Sequence, residues 1–279
     1  MAISIQAAGA KDRGQVREIN EDEIFYRIVQ ATDEEPVGLF VVCDGMGGHA
    51  GGEFASRWAA ETIRDELKDL FEASDRRKTV KLSEEELEAL AAGQPMPTRK
   101  LAAGEIEERI RRAIGRANEV VRKIAQARPQ EAGDTGTTVT MALVKGEMAY
   151  IANVGDSRTY LYRDGQLRPI TRDHSVVASL VQAGMIQPEE VYTHPQRNLI
   201  FRSLGAKPEV EVDLFRQELQ PGDRLLLCSD GLWEMVRDPQ IAKIMEKAPN
   251  PKTTCQRLID AANTNGGEDN ISTIVVWAE

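Results

Sequence analysis

The stretch VVCDGMGGHAGGE runs from Val41 to Glu53, and its two halves ask different things of a fold. The first half is the end of an apolar run, Leu39 to Cys43, with no polar residue to break it. The second half begins at an acid, Asp44, and continues with five glycines. A strand that is apolar at every position is covered on both faces, because a one-sided sheet alternates apolar and polar residues. LLLC (Leu225–Cys228) and TIVVW (Thr273–Trp277) read the same way. Tight-turn signals at Lys145-Gly146 and Asp164-Gly165 join neighbouring runs into hairpins, which makes the pairing antiparallel. Two antiparallel sheets packed face to face, with helices outside, satisfy both facts. The expected class is α+β, a four-layer αββα sandwich.

Strands are expected at Ile3–Ala7, Glu23–Val29, Gly38–Cys43, Thr137–Val144, Met148–Val154, Arg158–Arg163, Glu209–Phe215, Arg224–Cys228 and Ile271–Trp277. Helices are expected at Glu53–Phe71, with Phe54, Trp58, Ile63, Leu67 and Leu70 on one face, and at Glu105–Ala127. Shorter ones fall at Val176–Ala183, Ile241–Glu246 and Lys252–Asn263. Between the two long helices lies a polar excursion, about 74–104, with a capping-box match at Ser83 and Glu86. It reads as a surface insertion in a single domain of 279 residues.

Composition limits the function. A net charge of −10 disfavours a nucleic-acid partner or an anionic membrane surface. No apolar run is long enough to span a bilayer, and no signal peptide is evident. Cys43, Cys228 and Cys255 are odd in number and far apart, as in a reducing compartment. The cytoplasm is the expected location.

The acid after the first strand has counterparts. Asp230-Gly231 ends the strand LLLC, Glu268-Asp269 precedes ISTIVVW, Glu21-Asp22 precedes EIFYRIV, and Asp156 follows AYIANV. Turn chemistry explains any one of them. If the five tips meet, their carboxylates need cations, and oxygen ligands without clustered His or Cys favour Mg²⁺ or Mn²⁺. GMGGHA (Gly45–Ala50) also fits a dinucleotide-binding fingerprint, but the antiparallel hairpins and the absence of a following βαβ strand oppose it.

VREINED (16–22), DGMGGHAGGE (44–53), GTT (136–138), VGDSR (154–158), RSLG (202–205), CSDGLWE (228–234) and GGEDNIST (266–273) occur in this order. The chain resembles the metal-dependent Ser/Thr protein phosphatases of the PPM family, type 2C, and their small bacterial members most closely, over about 5–277. The resemblance implies the αββα fold and Mn²⁺ or Mg²⁺, two ions tightly bound and a third weaker. It implies that Asp44 bridges two ions, that Glu21 and the Gly45 carbonyl complete one, and that Asp230 and Asp269 serve the other. Asp22 holds a coordinated water, Asp156 with Asp230 takes the third ion, and Arg17 grips the substrate phosphate. A metal-bridging hydroxide attacks phosphorus directly, and His49 is the candidate proton donor, offset by three residues from the animal-type position.

The implied partners are proteins phosphorylated on Ser or Thr, a Ser/Thr kinase among them, with no nucleic acid and no membrane. A monomer is expected, reversing Ser/Thr kinase signalling. His174 is expected to order the start of a flap, about 174–202, and His194 to lie at the surface. Cys43 and Cys228 are expected in the core, and the sequon Asn270-Ile-Ser272 to be accidental. Thr135 stands where bacterial members often carry Met. The alternative of a pseudophosphatase, a regulatory module without activity, is opposed by the presence of every matched acid and of Arg17.

Overall fold

The computed structural model describes residues 3–29, 35–47, 51–71, 102–127 and 135–279. His49 and nearly all of the 74–104 insertion, with its capping box, lie outside the described residues. Strands β1 (Ile5–Asp12), β2 (Glu23–Val29), β3 (Val37–Cys43) and the short β4 (Gly45–Met46) lead into helix α1 (Gly51–Phe71). Helix α2 (Ala103–Ala127) precedes the short β5 (Gly136–Thr137), then β6 (Val139–Lys145), β7 (Met148–Val154), β8 (Arg158–Arg163) and β9 (Gln166–Pro169). The flap carries α3 (Val176–Gln182) and a 3₁₀ turn at Pro188–Tyr192. Then come β10 (Asp213–Glu218), β11 (Arg224–Cys228), a single helical turn at Asp230–Trp233, α4 (Asp238–Lys247), α5 (Pro251–Thr264) and β12 (Ile271–Ala278).

One five-stranded sheet has the order β10-β7-β6-β3-β2, the other β1-β12-β11-β8-β9, and β4 pairs with β5. Every pairing is antiparallel. The apolar run of β3 shows why it does not alternate. Phe40 and Val42 face the other sheet and meet Leu161, Leu227 and Ile274. Leu39, Val41 and Cys43 face the opposite way, onto Ile63 and Leu67 of α1 and Ile110 and Ile114 of α2. On the far side Leu226, Cys228 and Val275 pack on Ile241, Met245 and Leu258 of α4 and α5. Four layers therefore enclose three cores, and each large side chain so buried contributes about 1.5–3 kcal/mol. Among the described residues no helix is long and apolar enough to cross a membrane.

Several boundaries differ from expectation. The first strand begins at Ile5 and runs on to Asp12, and β9 is an extra strand beyond the Asp164-Gly165 turn. The β6–β7 loop is Gly146-Glu147, one residue later than read, and Lys145 pairs with Met148. The strand expected at 209–215 lies at Asp213–Glu218. Val210 and Val212 are apolar because they cover the end of the α1/α2 core, so their spacing reports a loop. Trp58 points outward at 43% exposure. Ala55, Ala59, Ala113 and Ala117 lie in the core that α1 and α2 share, and Trp58 is not part of it.

Candidate active site

Strand register carries the acids to one end of the sandwich. Cys43 at the end of β3 pairs with Glu23 at the start of β2, and Val154 at the end of β7 pairs with Val139 at the start of β6. In the other sheet Cys228 at the end of β11 pairs with Thr273 near the start of β12 and with Arg158 at the start of β8. The β7–β8 connection, Gly155–Ser157, crosses between the sheets at this end. Asp44, Asp230, Asp269, Asp156, Glu21 and Asp22 follow or precede these tips. Glu21, Asp22 and Asp156 are buried, while Asp44, Asp230 and Asp269 are half-buried at the rim.

The threonines of GTT hold Asp44 by its backbone. Thr138 Oγ1 accepts from the Asp44 N–H at 3.1 Å, and Thr137 Oγ1 donates to the Asp44 carbonyl at 2.8 Å. Thr138 Oγ1 also meets Ser157 Oγ at 2.7 Å, which ties Asp44 to the residue after Asp156. Ser229 donates to Asp22 Oδ2 at 2.8 Å and accepts from the Ser272 N–H at 2.9 Å. Arg17 Nη2 donates to Asp269 Oδ2 at 2.6 Å, so the arginine stands inside the acid group and half exposed.

Glycine is required here by crowding. A Cβ on Gly45 would lie 2.2 Å from the Gly52 carbonyl oxygen and 2.4 Å from that of Glu21. A Cβ on Gly52 would meet Glu21 Oε1 at 2.5 Å. The start of α1 is thus pressed against the acids. Thr135 supports the same loop, donating to the Met46 carbonyl at 3.1 Å.

Burial, followed by the facing Asp230, Asp22 and Asp156, pushes Asp44 well above the usual carboxylate range. Burial, with Asp156 and Asp269 next, does the same to Asp230. Asp156 is raised to about 7 by burial and then by Asp173, and Asp22 to about 6 by burial. Glu21 is raised by burial.

Among the described residues no three Asp, Glu, His or Cys side chains form a cage around one point. Asp44 and Asp230 instead face each other closely enough for each carboxyl to act on the other's ionisation. Yet the residues fit a divalent cation on two observations. Glu21 Oε1 is buried with no hydrogen-bond partner, and six carboxyls repel one another at one end with only oxygen to offer.

Sequence reasoning missed some of the supporting groups. Asn270 is the clearest. Its Oδ1 accepts from the Glu21 N–H at 2.8 Å, and its Nδ2 donates to the carbonyls of Arg13 and Ile19 at 3.0 and 2.9 Å. It holds the Arg17 loop and is buried, so its sequon is structurally closed. Cys43 and Cys228 are buried in the core as expected, and burial raises both thiols. His174 is buried, and its Nδ1 accepts from the Gly155 N–H at 3.0 Å. His194, expected at the surface, is half-buried, its Nδ1 accepting from the Gln196 N–H at 3.2 Å.

A two-sheet sandwich with an all-oxygen acid group at one end is the design of a metal-dependent phosphoester hydrolase. The family model described as protein phosphatase 2C matches residues 13–264. The serine/threonine phosphatase stp of Listeria monocytogenes is 34% identical over 265 residues, 95% of this chain and 92% of that one. The S. agalactiae serine/threonine phosphatase structure covers 99% of this chain and 100% of its own, at 30% identity and a TM-score of 0.79. The catalytic domain of PstP in complex with two manganese ions covers 100% and 99%, at 31% identity and a TM-score of 0.76. This chain belongs to the protein phosphatase 2C family and is a metal-dependent serine/threonine protein phosphatase.

Proposed function

We propose that residues 1–279 act as one catalytic domain that hydrolyses phosphoserine and phosphothreonine in proteins without a phosphoenzyme. The observation that carries this reading is the convergence of acids from five strand tips, with Asp44 facing Asp230 and Glu21 Oε1 unpartnered. Asp44 would join two Mn²⁺ or Mg²⁺ ions, with Glu21 and the Gly45 carbonyl on one and Asp230 and Asp269 on the other. Asp156 and Asp230 would take a third ion more weakly, because they supply few oxygens and Asp230 is shared. Bound ions supply an acidified water as nucleophile and offset phosphoryl charge.

The chain's own groups do the rest. Asp22, fixed by Ser229, orients water beside the acids. Arg17 exchanges its bond to Asp269 for two phosphate oxygens, which a guanidinium fork matches. His49 protonates the leaving Ser or Thr oxygen. The enzyme works as a cytoplasmic monomer that reverses a Ser/Thr kinase, with residues 74–104 as an insertion and 174–202 as a flap. The test is release of phosphate from p-nitrophenyl phosphate and a phosphothreonine peptide, with Mn²⁺ and with excess EDTA. Turnover undiminished by EDTA sinks the reading.

A further inference from the structure

A cavity of about 660 Å³ lies under the flap, and none of the acid group lines it. Its walls come from α3, the 3₁₀ turn, the segment after β9 and the start of α4. The size is that of a small-molecule pocket. Val177, Val181, Val191, Tyr192 and Phe201 make the apolar part, and Phe201 is 49% exposed.

The charges on the wall are mostly satisfied within it. Arg158 Nε and Nη2 grip Asp173, the closest approach being 2.7 Å. Arg202 Nη1 donates to Asp213 Oδ1 at 2.8 Å. Asp238 sits in the first turn of α4, where negative charge is favoured, and accepts from the Tyr160 hydroxyl at 3.3 Å. Arg172 is the remaining charge. It is exposed, and among the described residues no carboxylate pairs with it. One free cation lining the same cavity as the Tyr192 and Phe201 rings fits a ring-bearing small anion.

The same wall holds Asp156 from both sides. On one side His174 exchanges two hydrogen bonds with Gly155: its Nδ1 accepts from the Gly155 N–H at 3.0 Å, and its backbone N–H donates to the Gly155 carbonyl at 2.9 Å. On the other, Arg158 lies 3.6 Å from the centre of the Trp233 ring, and Trp233 Nε1 donates to the Asp156 carbonyl at 3.0 Å.

We infer that the cavity under the flap is a binding site for a small aromatic anion, such as an aromatic carboxylate, which seats its head on Arg172 and tunes turnover through the Asp156 loop. The tuning rests on the proposed role of Asp156; the binding does not. The probe is 8-anilinonaphthalene-1-sulfonate, followed by its fluorescence on the full chain, with initial rates on a phosphothreonine peptide measured beside it. The wild type should bind one probe saturably. Ala178→Trp, which puts an indole on the lining beside Val177 and Val181, should abolish that binding. Arg172→Gln, an exposed change that spares the fold, should weaken it about tenfold, as loss of one charge-assisted contact does. The neutral analogue N-phenyl-1-naphthylamine should not distinguish Arg172→Gln from wild type. The probe should change kcat and the free Mn²⁺ needed for half-maximal rate in the wild type, and leave Ala178→Trp unaffected.

Equal probe binding by wild type and Arg172→Gln overturns the anion site. Binding lost in Ala178→Trp, with wild-type turnover indifferent to the probe, overturns the coupling to Asp156. A chain that turns over no phosphopeptide under any condition fails the functional reading, and the fluorescence titration still decides the site.

Discussion

Asp-Gly occurs at the ends of β3, β8 and β11, and the three pairs are built for two different reasons. At Asp164-Gly165 both residues have positive φ, +51° and +79°, and both are exposed. A Cβ on Gly165 would meet nothing within 4 Å. This pair only reverses the chain, at the end of β8 away from the acids. At Asp44-Gly45 and Asp230-Gly231 neither glycine has positive φ, and both are buried. A Cβ on Gly231 would lie 2.1 Å from the Asn270 carbonyl oxygen, and one on Gly45 2.2 Å from that of Gly52. There glycine lets neighbouring backbones approach, and the aspartates face other acids. The dipeptide is one signal; what surrounds it in the fold decides whether it is a turn or a site.

The largest expected difference is in catalysis. Asp44→Asn should lower kcat more than about a hundredfold, because it takes charge from a group proposed to join two ions. Asp164→Asn should leave kcat alone and move stability by no more than about 0.5 kcal/mol, since Asn also tolerates the left-handed region. Initial rates on a phosphothreonine peptide at saturating Mn²⁺ compare the two. An Asp44→Asn enzyme retaining even about a tenth of wild-type kcat breaks the distinction between site and turn.

Asp156 is the intermediate case, an acid at a connection that is also part of the site. Asp156→Ala should lose about tenfold or more in phosphopeptide turnover, while calorimetry still finds two tightly bound Mn²⁺. If kcat and its dependence on free Mn²⁺ match the wild type, Asp156 belongs with Asp164.

Backbone substitutions should give a smaller contrast in the same order. Gly231→Ala must move the Asn270 peptide, at about 3 kcal/mol of stability. Gly165→Ala meets open space and costs about 1 kcal/mol for its positive φ. Urea unfolding of both variants measures this directly. Equal costs, or a larger one at Gly165, would mean that the close approach at Gly231 relaxes freely.

The same contrast explains how far the sequence could be read. The unbroken apolar runs of β3, β11 and β12 required cover on both faces, and the opposed environments of Phe40 and Leu39 supply it. Register then brings the strand tips together, so acids that looked like turns in isolation form one group. What stayed hidden depends on partners distant in sequence. Asn270 reads as a sequon because its three partners, at 13, 19 and 21, lie some 250 residues away. Trp58 reads as core because spacing alone does not reveal which face of its helix the core, with Ala55, Ala59, Ile63 and Leu67, takes up. Ser229 carries no signal in the sequence, and its part shows only once Asp22 is placed beside it.

The smallest effect concerns protons, and it separates two kinds of titrating group within the acid end itself, a buried imidazole and buried carboxyls. Burial and then Arg202 hold the His174 pKa below its ordinary 6.5, against the pull of Asp213 and Asp173. Well above pH 6.5 neither the folded nor the unfolded chain protonates this histidine, so there it adds no pH dependence. As pH falls below that value the unfolded chain gains a proton that the folded chain resists, and stability drops. Asp156 and Asp22, raised to about 7 and about 6, act with the opposite sign, because their folded carboxyls take up protons before the unfolded ones do. The net curve therefore hides His174, and only a difference between proteins isolates it. His174→Asn keeps an acceptor for the Gly155 N–H and removes the titration. Urea midpoints near pH 7.5 and near pH 5.5, on either side of the free imidazole value, should fall less in the variant than in the wild type. An identical fall in both would show that His174 takes up its proton as readily in the fold as in the unfolded chain.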